Sequence, residues 1–165
     1  MDSLFLLQFA CFIFMLINAF IVALSHLHVR WENKRYERSR WMIVVALIGL
    51  AIQYAVQMGF GFRAADDSLG AVVNILVYTP CFSLISMGIY NIETTRSNLR
   101  KMILMCSGIY AAIIVVFCVG IRLHHSLYIR EGLYIMLALF CVSVIYCISM
   151  IVREMIRRKN MLETM

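Results

Sequence analysis

Four polar side chains stand inside long apolar stretches of this sequence: Gln53, Gln57, Asn74 and Tyr78. Gln53 and Gln57 are four residues apart and share one helical face, which Gly49 extends; Asn74, Tyr78 and Cys81 share a face by similar spacing. Neutral amides and a phenol supply fixed hydrogen-bond donors and acceptors. In a segment solvated by lipid, such groups either recognise the polar atoms of a small ligand or bond across helices and hold them together, at about 0.6–2 kcal/mol each. Both readings stay open on the sequence alone. Counted from the ends of their stretches, Gln57 lies level with Asn74 and Gln53 with Tyr78. The two polar faces are therefore expected to meet, framing a pocket of Gln53, Gln57, Asn74 and Tyr78 for a small or lipid-like ligand. A second stripe, Thr79, Ser83, Ser86 and Tyr90, points elsewhere.

Other kinds of chemistry lack their residues. No Asp, Glu, Lys or Arg stands within an apolar stretch away from its ends, which excludes a proton relay or a charge-coupled path. The sequence has no H-E-x-x-H, no G-x-S-x-G, no Walker loop and no paired carboxylates at depth, so no catalytic residue is expected and the chain is not read as an enzyme. His124 and His125 on one loop, with Asp66 and Asp67 on another, are adjacent pairs whose side chains aim poorly at a common point. His26 and His28 lie in a basic context. No metal and no cofactor is expected. The six cysteines (Cys11, Cys81, Cys106, Cys118, Cys141, Cys147) all fall in apolar stretches without a C-x-x-C pair. They read as small buried hydrophobes, not as a disulfide framework or redox centre.

The elements that must position these groups follow from composition. Of 165 residues, 63% are hydrophobic and 15% charged, against about 45–50% and about 25% in a soluble domain. The excess is gathered in five blocks, near residues 4–25, 41–62, 69–92, 102–121 and 133–152. Each is about 30–36 Å long as a helix, enough for a hydrocarbon core of about 30 Å. Backbone groups there find no water, so the expected fold is an all-α bundle of five membrane spans. A soluble enzyme, a disulfide-rich secreted domain and a disordered chain are excluded. The first block has no basic region before it, only Asp2, and a basic run after it, so it reads as a span and not a cleaved leader.

Charge predicts the orientation. Twelve of the fifteen Lys and Arg residues lie after span 1 (Arg30, Lys34, Arg35, Arg38, Arg40), after span 3 (Arg96, Arg100, Lys101) and in the tail (Arg153, Arg157, Arg158, Lys159). The positive-inside rule then places the N-terminus outside and the C-terminus in the cytoplasm. The net charge of +6 is accounted for by topology and by attraction to anionic headgroups, and no direct nucleic-acid contact is expected. Ser68, after Asp66 and Asp67, is placed to cap span 3. Pro80, the only proline, is expected to kink that span.

Residues 1–152 thus form the bundle and 153–165 a basic tail. In the tail, Ile148, Ile151, Met155, Leu162 and Met165 keep helical spacing, broken by Arg158. Span 5 is expected to continue as a helix into the cytoplasm. There Arg153, Arg157 and Arg158 mark either a signal-transmitting stalk or a basic anchor lying on the membrane surface.

The stretches RWENKRYERSRWMI, GAVVNILVYTPCFSLISMGIYNIE and MIVREMIRRKNMLETM resemble the membrane-embedded N-terminal part of multispan bacterial regulators, in which an AraC-type helix-turn-helix or kinase-like output domain follows the spans. The resemblance implies a non-enzymatic sensor or anchor module in a bacterial cytoplasmic membrane. Its partners would be the lipid bilayer, a cytoplasmic output domain or partner protein, and a second copy of the chain in a homodimer. The output domain would have to come from a continuation of the chain or from the partner. The alternative is a small permease or accessory membrane subunit with a polar intramembrane path. The tryptophan-rich sensory family, also of five spans, does not fit a chain with two tryptophans and one proline.

Overall fold

The computed structural model describes residues 3–25, 34–60, 67–93, 96–124 and 130–163. They form five helices: α1 (Ser3–Leu24), α2 (Lys34–Phe60), α3 (Asp67–Glu93), α4 (Arg96–His124) and α5 (Arg130–Glu163). No strand occurs among the described residues. All five are long and apolar enough to cross a membrane, which is the all-α, five-span architecture expected from the composition.

Four helices extend beyond their apolar blocks into charged sequence, α4 among them, which starts at Arg96 rather than Met102. The helix of span 2 starts at Lys34 rather than Trp41, so the basic stretch up to Arg40 is already helical. Lys and Arg are good helix formers, and only the apolar part of a helix needs to match the bilayer. α3 starts at Asp67, one residue ahead of the expected cap, so Ser68 stands in the first turn and not at the N-cap. α5 continues through Arg153 and Arg157 to Glu163, as the tail periodicity predicts.

The helices are not arranged as a ring. α1 packs on α2, α2 on α3, and α3 in turn on α4 and α5, which also pack on each other. Three apolar cores result. Ala46, Leu50 and Cys81 form one between α2 and α3, with Met15 of α1 against it. Val72, Ile75, Ile113 and Met136 join α3, α4 and α5 toward one end. Met87, Tyr90, Met102, Cys106 and Cys147 join the same three helices at the other, hereafter the basic end. α3 therefore contributes to every core.

α1 contacts little besides α2 and turns most of its surface outward: Leu7 and Phe14 are each 62% exposed and Phe20 68%. A contiguous apolar face of that kind is incompatible with water and natural against acyl chains. Cys118 and Cys141 share this situation. They are exposed, and Cys11 is half-buried, so only Cys81, Cys106 and Cys147 are the buried small hydrophobes that the sequence suggests for all six.

α3 runs through Pro80 as one helix. The proline has no N–H to give to the carbonyl of Leu76, and the hydroxyl of the preceding Thr79 donates to the Ile75 carbonyl at 2.6 Å.

Candidate functional site

The polar faces of α2 and α3 do meet. Gln53 Nε2 donates to Asn74 Oδ1 at 3.1 Å, and Gln57 Nε2 donates to the same oxygen. Both glutamines are 3% exposed. Their placement follows from local spacing: Leu50, Gln53 and Gln57 lie on the face of α2 that also carries Ala46 into the α2–α3 core. The antiparallel run of the two helices then brings Asn74 level with the pair.

Tyr78 does not join them. Its ring lies 6.5 Å from that of Tyr54 and edge-on to Phe82 at 6.2 Å. Gln53 therefore meets Asn74 and not Tyr78. Three of the four candidate residues form an amide clasp between α2 and α3, and Tyr78 packs instead among the rings of Tyr54 and Phe82.

A second polar group lies between α3, α4 and α5. The Sγ atoms of Cys106 and Cys147 are 3.7 Å apart. Ser83, Ser86 and Ser143 stand near the two thiols. Beside it is a cavity of about 250 Å³ between α3 and α5, lined by Thr79, Ser83, Ser86, Phe140, Ser143 and Cys147. Thr79, Ser83 and Ser86 of the second polar stripe of span 3 line this cavity, and Tyr90 does not. These hydroxyls are visible in the sequence, but their neighbours are not, since nothing in the spacing of Cys106, Ser143 and Cys147 pairs them across helices.

The thiol pair can be tested directly. Treatment with copper-phenanthroline in detergent is expected to link Cys106 to Cys147, removing two of the six maleimide-reactive thiols by mass spectrometry. Either Cys106→Ser or Cys147→Ser abolishes the loss. Six reactive thiols after oxidation would mean that α4 and α5 do not pack in this register.

At the basic end, Asn91 Nδ2 donates to Ser39 Oγ at 2.7 Å and to the Arg35 carbonyl at 3.3 Å. Sequence reasoning misses this second clasp between α2 and α3, because Ser39 precedes the apolar block of span 2 and reads as loop. Nearby Arg40 is 6% exposed, its guanidinium carbon 5.6 Å from the ring centre of Trp41. Of the tail residues, Arg157 Nη2 stands 3.7 Å from Glu154 Oε1 and Arg153 is exposed. The side chain of Arg158 lies outside the described residues, as do Asp66 and His125. Among the described residues no group of three or more His, Cys, Asp or Glu gathers.

Fold and surface place the chain in a class, that of helical multispan membrane proteins. Neither a family model, nor a curated protein, nor a solved structure matches it, so its own residues carry the functional reading.

Proposed function

We propose that this chain is a non-enzymatic sensor or anchor module of a bacterial cytoplasmic membrane. Its N-terminus would be outside, its C-terminus in the cytoplasm, and α5 would connect the bundle to an output partner. The observation that carries this reading is the length of α5. It is one unbroken helix of 34 residues, about 51 Å at 1.5 Å per residue. Hydrocarbon accounts for about 30 Å of that, and a tilt of about 20° shortens the projection by only a few ångströms. The last turns, with Arg153, Arg157 and Lys159, therefore emerge as a stiff continuation of a helix that also packs against α3 and α4 in the core.

A stalk of this kind transmits only if the bundle has two arrangements that a ligand distinguishes. The hydroxyl-lined cavity beside α5 and the amide clasp between α2 and α3 supply polar groups for a small or lipid-like ligand. A basic surface anchor would not require a helix continuous with the core.

The test uses the helical phase of the stalk. In a deletion strain complemented with variants, one alanine inserted after Lys159 rotates everything beyond it by about 100°, whereas seven residues restore the face. The transcript profile is expected to change with the first and return to that of the wild type with the second. A profile indifferent to both insertions overturns the relay, and solute flux in proteoliposomes at one rate in all variants would put the permease in its place.

A further inference from the structure

A cavity of about 400 Å³ opens at the basic end, where α5 leaves the bundle. Lys101 of α4 and Arg153 and Arg157 of α5 form a cationic wall, Tyr90 of α3 and Tyr146 of α5 stand beside them, and Glu154 is the one carboxylate among the described lining residues. Three helices thus contribute, and among the described lining residues there are two more positive than negative charges. Arg153 and Arg157 are four residues apart and present their guanidinium groups from one face of α5.

The pairing of Glu154 with Arg157 is weak. Glu154 is 6% exposed, yet its contact with Arg157 is a single one of 3.7 Å, longer than a charge-assisted hydrogen bond of about 2.7–2.9 Å. Guanidinium, ammonium and phenol donors therefore converge on a cavity whose resident carboxylate engages Arg157 only loosely. Planar guanidinium forks beside a lysine are the donor set that suits a tetrahedral oxyanion. The depth fits as well. Tyr146 and Met150 belong to the apolar part of α5, and Arg153 and Arg157 to the charged stretch that follows it, where anionic headgroups would be met.

We propose that this cavity binds a phosphate group, carried by an anionic phospholipid or by a soluble phosphate ester. The bound phosphate accepts from Lys101, Arg153 and Arg157, tying α4 to α5 beside Tyr90 of α3. Glu154 opposes it by like charge and keeps the site from saturating permanently. The binding itself stands on the lining alone; its consequence, a change in the packing of α5 where the stalk begins, rests on the proposed relay.

The experiment is isothermal titration of the purified chain in a neutral detergent with four probes: dihexanoylphosphatidylglycerol, glycerol phosphate, inorganic phosphate and, as a zwitterionic control, dihexanoylphosphatidylcholine. Saturable one-to-one binding is expected for phosphatidylglycerol or for the soluble phosphates, and not for phosphatidylcholine. Lipid-only binding identifies the headgroup as the source, whereas equal affinity for glycerol phosphate identifies a soluble ester. Lys101→Gln and Arg153→Gln are each expected to weaken binding about tenfold, a charge-assisted hydrogen bond being worth about 1.5–3 kcal/mol. Glu154→Gln is expected to tighten it several-fold. Arg100→Gln, which removes an exposed cation outside the lining, should leave it unchanged. Glu154 and Arg100 are decisive together, because a diffuse basic surface gains from losing any carboxylate but loses equally at Arg100. No saturable binding, or an Arg100→Gln loss as large as that of Lys101→Gln, overturns the site. Binding that behaves as expected while the insertion series has no phenotype overturns the relay and leaves the site standing.

Discussion

Replacement of Asn74 by leucine is expected to cost about 2–3 kcal/mol of bundle stability, more than replacement of either glutamine it serves. Asn74 Oδ1 is the common acceptor for Gln53 Nε2 and Gln57 Nε2, so its loss removes two interhelical bonds at once and strands two buried amides. An interhelical bond between polar side chains in a membrane is worth about 0.6–2 kcal/mol, and an unsatisfied buried donor adds a desolvation penalty of about 1–3 kcal/mol. Gln53→Leu removes one bond and leaves Asn74 satisfied by Gln57, so about 1 kcal/mol is expected. The triple leucine variant should recover most of the loss, since replacing all partners by apolar groups is nearly neutral. Unfolding in mixed micelles, followed by helix signal against denaturant, orders the variants. If Asn74→Leu lies within about 0.5 kcal/mol of the wild type, less than a single interhelical bond contributes, the shared acceptor is not a structural clasp and the amides are free for another role.

The amide clasp is legible in the sequence because both of its requirements are local. Residues four apart share a helical face, and a short connection between α2 and α3 fixes which depths coincide. The departure at Tyr78 shows the limit of counting: depth places it level with Gln53, but the neighbouring ring of Tyr54 and the edge of Phe82 decide where a phenol packs. Ser39 and Asn91 escape notice for a different reason. Each is polar and close to a span end, where solvation is the ordinary explanation, and only the helical state of the stretch from Lys34 brings Ser39 opposite Asn91. The Cys106–Cys147 pair and the cavity at Lys101 have no sequence signal, because they arise between α4 and α5 or among three helices, and register between distant elements is not written in either one. The five-span fold is legible throughout, since it depends on block length and apolarity alone.

The two clasps lie toward opposite ends of the same helix pair, which makes the spacing between them a test of how α2 and α3 are held. A Cβ on Gly88 would lie 2.8 Å from Ile43 Cγ1 and 3.0 Å from the backbone oxygen of Ser39. At Gly49 the nearest atom is the Cys81 Sγ at 3.0 Å, and at Gly59 and Gly108 nothing lies within 4 Å. Four Gly→Ala substitutions should therefore diverge sharply. Those at Gly59 and Gly108 remove backbone freedom from an open helix face and are expected to be neutral or stabilising by up to about 1 kcal/mol. Gly49→Ala is milder than its distance suggests, because a thiol rotates away at the cost of about one rotamer change, about 1 kcal/mol. Gly88→Ala meets backbone, which cannot rotate away, so α2 must move, and that movement lengthens the Asn91–Ser39 bond of 2.7 Å as well. Overpacking of this kind costs about 1–3 kcal/mol, the lost clasp adds to it, and Gly88→Leu is expected to leave little monodisperse protein after detergent extraction. The companion Ile43→Ala separates the two obstacles. In the double variant with Gly88→Ala it relieves the contact with Cγ1 but not that with the Ser39 carbonyl, so recovery should be partial. Complete recovery would mean that side-chain crowding alone sets the approach of α2 to α3, and Gly88→Ala as stable as Gly108→Ala would mean that the two helices do not approach closely at Gly88.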